Sequence, residues 1–68
     1  MSNAVMLFLE RNPIRSFETE EIYLNRIAEI AVNERLDLDD FFLVLGDKYP
    51  QRWKQIADLN SKLSGSDS

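Results

Sequence analysis

The chain has 68 residues and a formal net charge of −4, and it contains neither cysteine nor histidine. A domain of this length buries only about 60% of the surface that its unfolded chain exposes, so it has room for one small core. Without these two residue types disulfides are impossible, and the usual zinc ligands and the usual general base are missing. The acidic balance also disfavours duplex DNA and anionic membranes as main partners.

The cellular location is predicted from the apolar runs. No stretch of the sequence approaches the roughly 18 apolar residues that a membrane span needs. The opening apolar run, Ala4 to Leu9, lacks the basic segment that begins a secretory signal. We therefore expect a cytoplasmic protein that does not associate with a membrane.

The first predicted helix runs from about Asn3 to Arg11 and ends because Pro13 cannot continue it. Helical spacing places three apolar residues on its inward face, namely Val5, Phe8 and Leu9. Met6 and Leu7 fall outside that face. Because the run is short and almost wholly apolar, a strand is an alternative interpretation.

The second predicted helix runs from about Phe17 to Glu34, with Ser16 as its N-cap. At 100° per residue, one apolar stripe is formed by Tyr23, Leu24, Ile27, Ala28, Ile30 and Ala31. Ile22 and Val32 fall on the opposite, polar side of the helix. These two side chains therefore have no predicted place in the core.

The third predicted helix begins after Asp37, a favourable N-cap residue, and carries Asp39 and Asp40 in its first turn. Its inward stripe consists of Leu38, Phe41, Phe42 and Leu45. Leu43 projects on the side of the two aspartates, away from this stripe. Gly46 is predicted to end the helix in a left-handed conformation.

The fourth predicted helix starts near Pro50, whose fixed φ suits a first helical position. One face of this helix carries Trp53, Ile56, Ala57, Leu59 and Leu63. Trp53 is predicted to anchor the core. The serine-rich segment that follows, residues 64–68, is predicted to be a disordered tail.

Short helices on short loops predict an all-α fold, a compact bundle of three to four short helices. A helix-turn-helix-like array is an alternative arrangement of the same elements. Residues 1–63 form a single domain in this prediction. The predicted core consists of Phe8, Leu24, Ile27, Ile30, Ala31, Leu38, Phe41, Phe42, Leu45, Trp53, Ile56 and Leu63.

Catalytic and metal sites are not indicated by the sequence. The acidic residues gather at helix starts, where the helix dipole accounts for them. A calcium loop beginning at Asp37 would need glycine at its sixth position and glutamate at its twelfth, and those positions hold Phe42 and Lys48. We therefore predict no enzymatic activity, no metal and no cofactor.

The stretch from Tyr23 to Leu45 is predicted to form a helix, a short turn and a second, aromatic-rich helix. In this pattern it resembles the late-transcription coactivators of T4-type phages. The similarity covers about a third of the chain, and it rests on Tyr23-Leu24, the acidic helix end near Glu34, Leu36 and Phe41. Proteins of that family bind the host RNA polymerase. The resemblance implies a role in transcription through protein contacts.

A second alternative is nucleic-acid binding through the basic last helix. The segment Arg52-Trp53-Lys54-Gln55-Ile56 resembles the end of a Myb-type DNA-binding helix. The residues that would contact phosphates are Lys48, Arg52, Lys54 and Lys62. The chain lacks the evenly spaced tryptophans of that family and a broad basic patch, so this remains an alternative.

The main functional prediction rests on a surplus of apolar side chains outside the helical stripes. Such side chains occur on the first three helices, and they favour a surface that binds another protein. The predicted partner-binding residues are Ile22, Val32, Asp39, Asp40 and Leu43. The partner is either another protein or a second copy of the chain. The competing interpretation is that the bundle core encloses more of each helix than the helical wheels suggest.

Overall fold

Helices account for all the regular structure of residues 3–64, which are the residues that this computed structural model describes. They are α1 (Asn3–Arg11), α2 (Glu20–Asn33), α3 (Leu38–Lys48) and α4 (Trp53–Ser64), and a 3₁₀ turn (Pro50–Arg52) leads into α4. The all-α prediction is confirmed, and the first apolar run is a helix rather than a strand. Of the tail predicted for residues 64–68, Ser64 is instead the last residue of α4, and the others lie outside the described residues.

The start of α2 lies three residues later than predicted, because Thr19 and not Ser16 caps the helix. The Thr19 hydroxyl accepts a hydrogen bond from the backbone N–H of Ile22 at 3.2 Å. The preceding residues form a turn in which the Glu18 carboxylate accepts from the backbone N–H of Arg15 at 2.9 Å. This turn keeps Ser16 out of the helix, so the predicted cap is wrong.

The end of α2 is formed by a residue in the left-handed conformation, Arg35, whose φ is 58°. The N–H of Leu36 donates to the carbonyl of Ala31, and the N–H of Arg35 donates to the carbonyl of Val32, both at 3.0 Å. This pair of bonds is the Schellman arrangement, in which glycine is the usual left-handed residue. Here an arginine occupies that position.

The start of α3 agrees with the prediction. The Asp37 carboxylate accepts from the backbone N–H groups of Asp39 at 3.1 Å and Asp40 at 3.4 Å. It thereby satisfies two of the amide groups that have no partner inside the helix.

The end of α3 does not agree with the prediction, because the helix continues through Gly46 to Lys48. Gly46 does not have a positive φ. The helix stops at Tyr49, whose N–H still donates to the carbonyl of Leu45 at 2.8 Å. Pro50 disfavours helical geometry in the residue before it, and this restriction ends α3 two residues beyond Gly46.

The core is centred on α3, which packs against α1, α2 and α4. The ring of Phe41 lies edge-on to the rings of Phe8 at 5.7 Å and Phe42 at 5.1 Å between centroids. The buried side chains are Val5, Phe8, Tyr23, Leu24, Ile27, Ala28, Ala31, Phe41, Phe42, Leu45, Ile56 and Leu59. Of the predicted core, Ile30, Leu38 and Leu63 are only partly buried.

The prediction that Trp53 anchors the core is wrong, because its side chain is 62% exposed. Trp53 shares a helical face with the buried Ile56, but it lies about one turn earlier, at the first residue of α4. The ammonium group of Lys54 lies 5.6 Å from the ring centroid.

Candidate functional site

The outer surface of α3 is a ridge of three residues, Asp39, Leu43 and Asp47, spaced four residues apart. All three are exposed, and the Leu43 side chain is 73% exposed. Residues four apart in a helix are neighbours on one face. The ridge therefore places one large apolar side chain between two carboxylates, one turn before it and one turn after it.

A groove between α3 and α4, called here the α3/α4 groove, lies on one side of this ridge and has a volume of about 350 Å³. Its lining is mostly apolar and includes the exposed side chains of Leu43 and Trp53. The lining residues are Asp39, Phe42, Leu43, Gly46, Trp53, Ile56, Ala57 and Asn60. The groove thus joins the two most exposed large apolar side chains of α3 and α4 into one surface.

Gly46 keeps the α3/α4 groove open. A β-carbon at this position would have no non-neighbouring atom of the described residues within 4 Å. Glycine inside a helix destabilises it by roughly 0.5–1 kcal/mol relative to alanine. Neither backbone conformation nor packing within the described residues requires this glycine.

A second groove lies on the other side of the ridge, between α1 and α3, with a volume of about 480 Å³. It is called here the α1/α3 groove, and its lining residues are Met6, Leu43, Val44, Asp47 and Lys48. Leu43 is shared by both grooves and is their common wall. Charge is nearly balanced in this second groove, since Asp47 and Lys48 both line it.

The structure brings together only part of the partner-binding set predicted from the sequence. The exposed side chains include all five that the helical wheels placed outside the core, Met6, Leu7, Ile22, Val32 and Leu43. Of the predicted binding residues, however, Leu43 and Asp39 line the α3/α4 groove. Asp40 lies on α3 but lines neither groove, and Ile22 and Val32 lie on α2 and line neither.

Three residues of this surface were missed by sequence reasoning, namely Gly46, Asp47 and Trp53. The spacing of Asp39, Leu43 and Asp47 was a visible signal for the ridge. The role of Gly46 was concealed by its usual function as a helix terminator, and that of Trp53 by the apolar face that it shares with Ile56.

Of the basic residues of the nucleic-acid alternative, Arg52 and Lys54 line one pocket, whereas Lys48 lies in the last turn of α3 and Lys62 in the last turn of α4. Arg52 pairs with Glu20 of α2 at 3.4 Å between Nε and Oε1. Lys54 lies over the Trp53 ring, and Lys48 lines the α1/α3 groove. Of these basic side chains, Arg52 is therefore already paired with an acidic side chain within the fold.

The ion pair between Glu18 and Arg26 supports the fold. Arg26 donates to both oxygens of Glu18, at 2.6 and 2.9 Å, and also to the carbonyl of Pro13 at 3.1 Å. Hydrogen bonding from Arg26, supported by the backbone N–H of Arg15 and opposed by burial, lowers the pKa of Glu18 from its ordinary 4.5 to about 2. The ion pair fastens the segment between α1 and α2 onto α2.

The chain's two tyrosines, Tyr23 and Tyr49, add a hydrogen bond and a ring contact that also support the fold. The Tyr23 hydroxyl donates to the carbonyl of Asn12 at 2.6 Å, and its ring lies edge-on to Tyr49 at 6.4 Å. Burial raises the pKa of both phenols, so both remain neutral at physiological pH. Their role is to support the fold.

Residues 3–64 contain neither a cluster of metal ligands nor a membrane-spanning helix. Nowhere in this part of the chain do three or more acidic, histidine or cysteine side chains form a group that could hold a metal ion. Nor does any helix in this part combine the length and apolar character needed to cross a membrane.

Comparison of the chain with models of protein families, with curated proteins and with solved structures found no match.

Proposed function

We propose that this chain is a small non-enzymatic adaptor or regulator that binds another protein through the α3 surface. The observation that carries the proposal is that Leu43 and Trp53, at 73% and 62% exposure, flank one mostly apolar groove. A single exposed leucine would mean little, because folded surfaces are largely apolar by area. Two large apolar side chains beside one groove are typical of an interface.

The chemistry of the groove fits a protein partner. Tryptophan is enriched among the residues that dominate binding energy at interfaces, because it offers a large rigid surface. Acidic residues at the edge of the ridge add a polar rim of the kind that surrounds such anchors. Burial of Leu43 and Trp53 by a partner would also supply apolar burial that a domain of this size cannot obtain alone.

Protein binding is preferred over nucleic-acid binding because the ridge carries carboxylates and Arg52 is paired with Glu20. Phosphates would be repelled by the first feature and would have to compete with the second. The cytoplasmic location predicted from the sequence is part of this proposal. The resemblance to phage transcription coactivators would make RNA polymerase the partner, and the test below identifies the partner directly.

The test compares Leu43→Lys with the matched control Leu7→Lys, since Leu7 is also an exposed leucine but lines neither groove. Proteins captured from an extract of the source cells by the immobilised chain are identified by mass spectrometry. The partner is then purified, and its affinity for each variant is measured by calorimetry. Thermal unfolding shows whether each variant is folded.

We expect Leu43→Lys to remain folded and to lose at least tenfold in affinity, while Leu7→Lys binds as the natural chain does. A Leu43→Lys chain that unfolds would show that Leu43 is part of the core. Equal binding by both variants would remove the α3 surface from the interface. Binding to DNA that is lost in the double variant Lys54→Glu and Lys62→Glu would support the nucleic-acid alternative instead.

A further inference from the structure

We infer that the α3/α4 groove receives an amphipathic helix of the partner that carries Lys or Arg one turn before and one turn after an apolar anchor residue. This inference rests on the proposed function and names the chemistry of the partner. It follows from the charge pattern of the ridge, the position of Gly46 and the helical walls of the groove.

The charge pattern of the ridge sets the spacing of the partner's basic residues. Asp39 and Asp47 are eight residues apart in one helix, which corresponds to about 12 Å along its axis. A second helix lying along α3 presents side chains at the same interval. The described lining of the α3/α4 groove contains one acid, Asp39, and neither lysine nor arginine. Asp39 lines this groove, whereas Asp47 lies one turn beyond Leu43 and lines the groove on the other side of the ridge. Long basic side chains on both sides of the anchor would therefore meet Asp39 in the groove and reach Asp47 across the ridge while the anchor contacts Leu43.

Gly46 favours an occupant whose backbone approaches closely. It lies one turn after Phe42 on the groove wall, and its missing side chain leaves space that the described residues do not fill. Glycine at such a position is typical of sites where another backbone packs closely. The loss of helix stability at Gly46 would then be offset when the partner binds.

The walls of the groove favour a helix as the occupant. Two packed helices, α3 and α4, form the walls, and a third helix fits between such ridges at an interaxial distance of roughly 8–10 Å. Recognition of an amphipathic helix in an apolar groove uses anchors spaced three or four residues apart. Leu43, Trp53 and Ile56 supply the apolar contacts for such anchors.

A second copy of the chain fits this surface poorly. A symmetric dimer would place the same patch on both subunits, so the carboxylates of Asp39 and Asp47 would face carboxylates of the other subunit. Each chain also has a net charge of −4, which adds to the repulsion. The charge pattern therefore selects a basic partner rather than the chain itself.

The experiment uses three model peptides with one leucine stripe on an alanine-rich helix. The residues four before and four after the central leucine are lysine in the first peptide, glutamine in the second and glutamate in the third. Trp53 is the only tryptophan of the chain and lies at the groove, so its fluorescence reports binding directly. Amide chemical shifts of Leu43 and Gly46 show whether a peptide occupies this groove.

We expect the lysine peptide to bind about three- to tenfold more tightly than the glutamine peptide at low salt, and the glutamate peptide to bind most weakly. High salt should reduce these differences, because exposed ion pairs are screened. The double variant Asp39→Asn and Asp47→Asn should bind the lysine and glutamine peptides equally. The control Glu10→Gln and Glu29→Gln changes the net charge by the same amount and should keep the preference.

Other outcomes overturn the inference in distinguishable ways. Equal affinity for the lysine and glutamine peptides refutes the basic partner but leaves the proposed function standing. The same holds if all three peptides fail to bind while the purified natural partner still binds through Leu43. Dimerisation of the chain that is lost in Leu43→Lys, measured by sedimentation, would assign the groove to a second copy. Failure of the Leu43 test with every protein partner would refute the proposed function itself.

Discussion

Gly46→Ala should stabilise the fold, although glycine near the end of a helix is usually there to terminate it. Gly46 lies inside α3, two residues before its end, with an ordinary helical backbone. The added methyl group meets no non-neighbouring atom of the described residues within 4 Å, so it causes no clash and gains little burial. The effect therefore comes from helix propensity and from the reduced entropy of the unfolded chain.

The expected gain is about 0.5–1 kcal/mol, the usual difference between glycine and alanine in a helix interior. For a domain of this length, 1 kcal/mol raises the melting temperature by roughly 4–8 °C. Urea denaturation followed by far-ultraviolet circular dichroism measures the free energy of unfolding. Gly46→Ser is the control, and its stability should fall between those of the natural chain and the alanine variant.

A neutral or destabilising Gly46→Ala would refute the reasoning, because it would mean that the residue is not helical or that its surroundings are filled.

A larger side chain at position 46 tests peptide binding separately from stability. Gly46→Leu should remain folded, since the methyl group is followed by open groove, but it should block the helical peptide from the α3/α4 groove. A leucine variant that still binds the peptide would place the peptide elsewhere.

The remaining predictions concern residues away from the groove or beside it. Arg35→Gly should stabilise the chain by about 1 kcal/mol, because a left-handed conformation is strained for every residue with a β-carbon, and Arg35→Ala should give no such gain; urea denaturation measures both. Acid titration of stability should fall more steeply in the natural chain than in Glu18→Gln as pH decreases from 4.5 to about 2. The sign follows because the unfolded state binds a proton before the folded state, whose Glu18 carboxylate is held by Arg26. Phe41→Ala should destabilise the chain by about 3–5 kcal/mol, whereas Trp53→Ala should change stability by less than about 1 kcal/mol, as judged by thermal unfolding.

Each of these predictions has a clear contradictory result. A loss of stability in Arg35→Gly would mean that the arginine side chain contributes more than its backbone strain removes. Parallel acid curves for the natural chain and Glu18→Gln would show that the ion pair with Arg26 persists or is absent in both folding states. A Trp53→Ala variant as unstable as Phe41→Ala would restore the tryptophan to the core.

The fold could be predicted from the sequence because helical periodicity and Pro residues act locally. Pro13 limits the end of α1 as predicted, and the apolar stripes place most of the core. Helix ends were less predictable where two residues compete for one role. Ser16 and Thr19 are both good caps, and the choice depends on the Glu18 side chain, which folds back onto Arg15 and Arg26.

The candidate site could be predicted only in part, because it depends on how helices pack. A helical wheel shows that Leu43 faces away from Phe41 and Phe42. It does not show which neighbouring helix approaches Leu43. The joining of Leu43, Gly46 and Trp53 into one groove requires the packing of α3 against α4.

Gly46 and Arg35 are both unfavourable residues for the local backbone structure in which they lie, but only Gly46 lines a groove. Both residues reduce stability at their positions, since glycine weakens a helix and arginine is strained in a left-handed turn. Arg35 lines neither groove, and its backbone N–H donates to the carbonyl of Val32, so relieving its strain should leave binding unchanged. Gly46 lines the same groove as the exposed Leu43 and Trp53, so enlarging it should remove binding. If Arg35→Gly reduced peptide affinity as much as Gly46→Leu does, the loss would reflect a general change in the fold. It would then not identify the α3/α4 groove as the peptide-binding site. If only the Gly46 variant loses affinity, its destabilising glycine is explained by the surface that it keeps open.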